Sequence, residues 1–136
     1  MRFLDSNIVL RYLTADDADA QARAAGIIHR VASGQEDAFT TDVHIHEVTY
    51  VLASKALYGL THLEISDRLR PLLLMNGLKM TNKQVCLDAL NLFAAHGFLD
   101  FADALAAAYI KHRRLDGVYS FDHDFDRLAD MARAEN

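Results

Sequence analysis

Short apolar runs alternate along the whole chain with amphipathic stretches of ten or more residues, and this alternation narrows the folds open to it. MRFLD reads as a short buried strand, and NIVLRYL continues helically. DADAQARAAGIIHRVASG is an Ala-rich helix closed by Gly34, since glycine readily takes the left-handed backbone that ends helices. DAFTT reads as a second strand, after which Asp42 can cap the helix VHIHEVTYVLASKAL. Thr61 caps HLEISDRLRPLLLM, with Pro71 expected to kink or end that helix. LKM is a brief strand, and NKQVCLDALNLFAAHG is a helix ending at Gly97. FLDFADALAAAYIKHRRLDG becomes helical near Asp100 and closes at Gly117. VYSF is then a last strand, and DRLADMARA a final helix.

Strands separated by helices run parallel, with both sheet faces covered. The expected fold is therefore a three-layer α/β/α sandwich with a central parallel sheet of four to five strands, built as a single domain over residues 1–136. That length can bury a real core, and a 51% hydrophobic content decides against disorder. No apolar run approaches a membrane span, and MRFLDSN does not read as a signal peptide, so the expected location is cytoplasmic. The lone cysteine, Cys86, lies in a helical pattern and reads as a buried structural thiol in a reducing compartment.

The segment SFDHDFD sets Asp122, Asp124 and Asp126 on alternate positions. A calcium loop beginning at Asp122 would need glycine at its sixth position and a bidentate glutamate at its twelfth. Those places hold Arg127 and Arg133, which excludes that loop. In open α/β sheets the functional crevice lies beyond the carboxyl ends of the strands. Asp5 ends the first strand and Asp122 follows the last. Glu47 lies one turn inside the helix after the second strand, and Asp103 in the first turn of the helix before the last strand. All four acids can face one crevice. Gathering carboxylates is costly unless protons or cations neutralise them, and an oxygen-only donor set favours Mg²⁺ or Mn²⁺. Such ions in an acidic cleft support phosphodiester hydrolysis. The net charge of −5 does not argue against a nucleic-acid partner. With these four set aside, 15 of the 19 acids remain against 14 lysines and arginines.

FLDSNIVLRYL resembles the D-[ST]-N opening of PIN-domain nucleases, and TTDVHIHEVTYVLASKALYG resembles their glutamate-bearing helix. FLDFADALAAAY is similar to their D-x-x-D-A-L block, and VYSFDHDF to their [ST]-F-D-x-D-F ending. Four blocks in order over nearly the whole chain are a strong match, closest in character to the VapC-type toxins of bacterial toxin–antitoxin pairs. The resemblance implies a Mg²⁺- or Mn²⁺-dependent endoribonuclease. Asp5, Asp103 and Asp122 would be its main metal ligands, with Glu47 binding directly or through water and orienting or deprotonating the attacking water. Asn7 and Ser120 would brace the site by hydrogen bonds, Ser120 standing where the family more often has Thr. Asp124 would support the site or cap the last helix, and Asp100 is best read as a helix cap. The resemblance further implies an RNA substrate, homodimers, and an antitoxin whose basic residue enters the acidic cleft.

Other readings fit less well. His46-Glu47 begins a zincin motif, but Tyr50 stands where its second histidine belongs. His44 and His46 diverge around a helix and read as partly exposed or capping residues. A receiver-type signalling domain needs an acidic pair after the first strand and a lysine after the last, where this chain has Asp5-Ser6-Asn7 and Asp122. A housekeeping PIN nuclease in RNA processing is the remaining alternative. The run Lys111, His112, Arg113, Arg114 reads as solvated helix-end charge or, alternatively, a phosphate-contacting patch.

Overall fold

The computed structural model describes residues 1–136. Strand β1 (Arg2–Phe3) leads into helix α1 (Ser6–Leu13), which is followed by α2 (Ala18–Ala32). Strand β2 (Ala38–Phe39) precedes α3 (Asp42–Ala53) and α4 (His62–Leu73). Strand β3 (Leu78–Lys79) precedes α5 (Lys83–Ala95) and α6 (Phe101–Arg113). Strand β4 (Val118–Tyr119), a 3₁₀ turn over His123–Arg127 and strand β5 (Arg133–Ala134) complete the chain.

Every strand pairing is parallel, as the alternation requires. β1, β2 and β3 pair in that order, with Arg2 opposite Ala38 and Ala38 opposite Leu78. β4 pairs with β5, Val118 opposite Arg133. The regular ladder is thus divided into three strands and two within an otherwise expected α/β/α architecture. Pairing continues past β1, where the Leu4 N–H donates to the Phe39 carbonyl at 2.7 Å. The buried Thr40 hydroxyl returns a bond to the Leu4 carbonyl at 2.9 Å. β1 itself is exposed, not buried, and the core begins at Leu4.

The core joins Ile28 and Val31 of α2, Val48 and Leu52 of α3, Leu69 and Leu73 of α4, and Leu90 and Phe93 of α5. Burying each such side chain contributes on the order of 2 kcal/mol. Phe101, at the start of α6, meets Phe93 edge-on with ring centroids 5.9 Å apart. Cys86 is buried among these residues, and the apolar surroundings push its thiol up to about 12.

Local capping chemistry sets several helix starts. Thr61 and Glu64 form a capping box at α4, each side chain bonding the other's backbone N–H at 3.1 Å. Pro71 falls in the last turn of α4, so the helix ends nearby at Leu73 without a central break. Thr41, not Asp42, holds the cap position of α3. Asp42 instead accepts from the Tyr109 hydroxyl at 3.1 Å, and that hydroxyl is also bonded by Asn82 at 2.9 Å.

The largest departure from the sequence expectation is at the C-terminus. DRLADMARA forms no helix; after the 3₁₀ turn the chain extends into β5. Gly117 does not close α6, whose left-handed terminal residue is Arg114 (φ 53°). Its role is close approach: a Cβ on Gly117 would lie 2.2 Å from the Ala132 carbonyl oxygen, at a φ of +154°. The β4–β5 pairing needs that missing side chain.

Candidate active site

Asp5 does not end β1; it is the N-cap of α1, just beyond that strand. Its carboxylate accepts from the backbone N–H of Asn7 at 3.3 Å, so Asn7 braces Asp5 through the main chain. Asp5 Oδ1 also lies 3.7 Å from Nε2 of His44. The His44 ring is fixed from behind by the Thr41 hydroxyl, 2.7 Å from Nδ1, and packs edge-on against Phe3. Sequence reasoning missed His44 as a site neighbour. The available signal was its spacing: His44 and Glu47 are three residues apart on α3 and share a helix face. Glu47 is exposed on that face.

A second group of acids gathers where α6 begins. Asp100 caps α6, accepting from the Asp103 backbone N–H at 2.8 Å. Asp103 is partly buried one turn inside the helix. Its carboxyl is pushed up to about 6, first by loss of water on burial, then by the charges of Asp100, Asp122 and Asp124, with a hydrogen bond that the protonated Asp103 donates to Asp100 adding to them. Asp122 caps the 3₁₀ turn, accepting from the Asp124 N–H at 2.8 Å, while its own N–H donates to the Ser120 hydroxyl at 2.9 Å. Asp124 is therefore not the cap of a last helix. It lies 3.7 Å from Arg127, whose guanidinium sits 3.6 Å over the Phe98 ring.

Asp126 faces elsewhere. Arg133 donates to both of its oxygens, at 3.0 and 3.1 Å, and with His123 holds its carboxyl below the usual range. Arg133 also donates to the Ser120 carbonyl at 2.9 Å and to Glu135 at 2.7 Å. The three alternating aspartates thus fall into two surroundings: Asp122 and Asp124 act on Asp103, and Asp126 is bound to Arg133.

The structure brings Asp103, Asp122, Asp100 and Asp124 into one electrostatic group, while the direct contact of Asp5 is with His44. α3 reaches α6 through His46, which stacks on Phe101 at 16° between ring planes with centroids 6.4 Å apart. No three carboxylate, imidazole or thiolate side chains already converge as a closed metal cage. The donors are carboxylates, suited to a hard divalent cation, and burial first, then the neighbouring carboxylates, raise Asp103. In chemistry the residues fit such an ion. No helix is long and apolar enough to cross a membrane.

Strand-end acids, a parallel α/β frame and a carboxylate group at the start of α6 together define a class, and the chain belongs to the PIN domain family, whose model matches residues 2–131. PIN domains are generally nucleases that use divalent metals, which places the chain with that class of hydrolases. No curated protein matches it significantly.

Proposed function

We propose that the chain is a Mg²⁺- or Mn²⁺-dependent endoribonuclease and the toxin of a VapC-like toxin–antitoxin pair. The observation that carries the nuclease reading is the carboxylate group around Asp103, which is pushed up to about 6 by burial and by its neighbours. Of the four acids in that group, Asp124 has an arginine partner; Asp100, Asp103 and Asp122 form no ion pair in the chain. Such a group is completed by a cation.

A divalent ion bound there supplies a water of lowered pKa and offsets charge developing on the phosphodiester. Asp103 and Asp122, with Asp5 as the family resemblance implies, would hold it. Ser120 and the Asp124 N–H fix the Asp122 loop, and Asp100 fixes the turn that presents Asp103. Glu47 orients the attacking water or takes its proton. At the end of α6, Lys111, Arg113 and Arg114 are exposed and suited to RNA phosphates, whereas His112 is engaged 2.5 Å from Asp88. The toxin assignment draws on the family resemblance, which also brings a homodimer and an antitoxin that inserts a basic residue into the acidic cleft.

Purified protein incubated with structured RNA and Mg²⁺ or Mn²⁺ should cleave it. Asp5→Asn and Asp103→Asn should each abolish cleavage. Cleavage that persists in both variants, or survives excess EDTA, overturns the nuclease reading. Induced expression should arrest growth unless a cognate antitoxin is co-expressed. Harmless overexpression would favour a housekeeping nuclease.

A further inference from the structure

Between the C-terminal half of α3, the start of α4 and the loop entering α6 lies a cavity of about 370 Å³. Its walls are mainly aromatic: Tyr50, Phe93, Phe98 and Phe101, with the imidazoles of His46 and His62. Two of these rings are committed to the fold. His62 stacks on Phe93 with centroids 3.8 Å apart and planes at 10°, and its Nε2 lies 2.7 Å from the Leu99 carbonyl. His46 differs: stacking on Phe101 holds it, and its Nδ1 is buried without any hydrogen-bond partner. A buried nitrogen left unpaired costs free energy, so His46 retains hydrogen-bonding capacity that the fold does not use.

The cavity adjoins the acidic group through Asp100, which lines the one and belongs to the other. On α3, His46 lines the cavity and the next residue is Glu47. On α6, Asp100 and Ala102 line the cavity, and Asp103 follows directly. Asp100 is thus both a cavity wall and the cap that positions Asp103. A chain whose phosphate sits at the carboxylates has a planar, aromatic recess beside it.

We propose that this cavity receives a nucleobase of single-stranded RNA, flanking the phosphate that is cleaved. This rests on the nuclease reading above. The open ring of Tyr50 can stack on the π-face that every base presents, against a floor formed by the buried Phe93 and Phe101 and by Phe98, which Arg127 covers. The volume falls in the range of small-ligand sites. An aliphatic side chain from a protein partner would leave the His46 nitrogen unpaired. A base edge carries N–H groups that can meet it once the imidazole turns about its Cβ–Cγ bond. Tyr50, 72% exposed at the rim, is free to close over the base.

The test is a binding cycle. Full-length protein carrying Asp103→Asn, so that the probe stays intact, is titrated with a fluorescent single-stranded RNA hexamer. The same titration uses hexamers with an abasic site at each position in turn. Tyr50→Ala should weaken binding roughly tenfold, and one abasic position should cost a similar factor. Combining the two should add little, because both remove the same stack. His46→Ala should behave likewise, and Tyr50→Ala, at an exposed position, should keep the circular dichroism spectrum unchanged. Unchanged affinity for Tyr50→Ala, or losses that multiply in combination with every abasic position, would overturn the proposal. Unchanged RNA affinity with loss of antitoxin binding would assign the cavity to a protein partner instead. If the native protein fails to cleave RNA yet the cycle shows coupling, the nuclease reading falls and base binding stands. If cleavage occurs without coupling, the cavity proposal alone falls.

Discussion

Replacing Asp103 by Asn should stabilise the metal-free protein even as it destroys the site. The Asp103 carboxyl stands at about 6 in the folded chain against an ordinary 3.8. The folded state therefore holds the proton more tightly than the unfolded state. Between those two values folding takes up a proton, so stability falls as pH rises through the window, and the full penalty is present above about 6. At 1.36 kcal/mol per pH unit the displacement corresponds to about 3 kcal/mol. Asp103 is only partly buried, and solvent screening reduces this to on the order of 1 kcal/mol. Asn keeps the side-chain shape without the charge. In EDTA at pH 7.5, Asp103→Asn should melt about 3–5 °C above the native protein, with the gap closing towards pH 4. Saturating Mg²⁺ should reverse the order, because only the native site gains cation-linkage stabilisation. Thermal melts of both proteins at pH 4, 5.5 and 7.5, with EDTA or Mg²⁺, measure all of this. A variant no more stable than the native protein at pH 7.5 in EDTA would refute the electrostatic account of the acidic group. So would a gap that does not shrink on acidification.

Ser120→Ala removes the acceptor for the Asp122 N–H; it should cost about 1 kcal/mol in a urea melt and weaken Mn²⁺ binding by calorimetry, with Ser120→Thr restoring both. Gly117→Ala forces a methyl group against the Ala132 carbonyl and should destabilise the fold by about 1–3 kcal/mol, read from denaturant midpoints. Cys86, buried and pushed up to about 12, should be inert to a thiol-specific chromophore at pH 8 until denaturant is added; fast native labelling would contradict its placement. Asp122→Asn should reduce cleavage by roughly 10²- to 10³-fold with an unchanged melt at pH 4, consistent with loss of several kcal/mol of metal-borne transition-state stabilisation.

The features legible in the sequence were those whose cause lies within a few residues. Thr61 caps α4 as expected, and Glu64, three residues on, completes a capping box that the same local spacing permits. The cap at Asp100 is equally local, and the alternation of apolar runs and helices is enough to require parallel strands. The misread features depend on partners distant in sequence. Phe125 and Leu128 are buried three residues apart, a spacing that suits a helix. The segment after them is nevertheless drawn into β5 because β4 offers open backbone groups and Gly117 lets Ala132 approach. His44 shares a helix face with Glu47, which is legible in the sequence, but its stand at Asp5 is not, since that contact is made by α3 packing beside the chain that leaves β1.

The same division runs through the acidic residues. Sequence alone determined their identity, their order and their placement near strand ends and first helical turns, because these follow from chain-local periodicity and capping. Tertiary structure alone decided which acids influence one another. It set Asp122 and Asp124 against Asp103, turned Asp126 to Arg133, placed Asp5 beside His44, and laid an aromatic cavity against Asp100. Electrostatic coupling and ring stacking depend on distance in space, and only the packing of α3 and α6 and the pairing of β4 with β5 fix those distances.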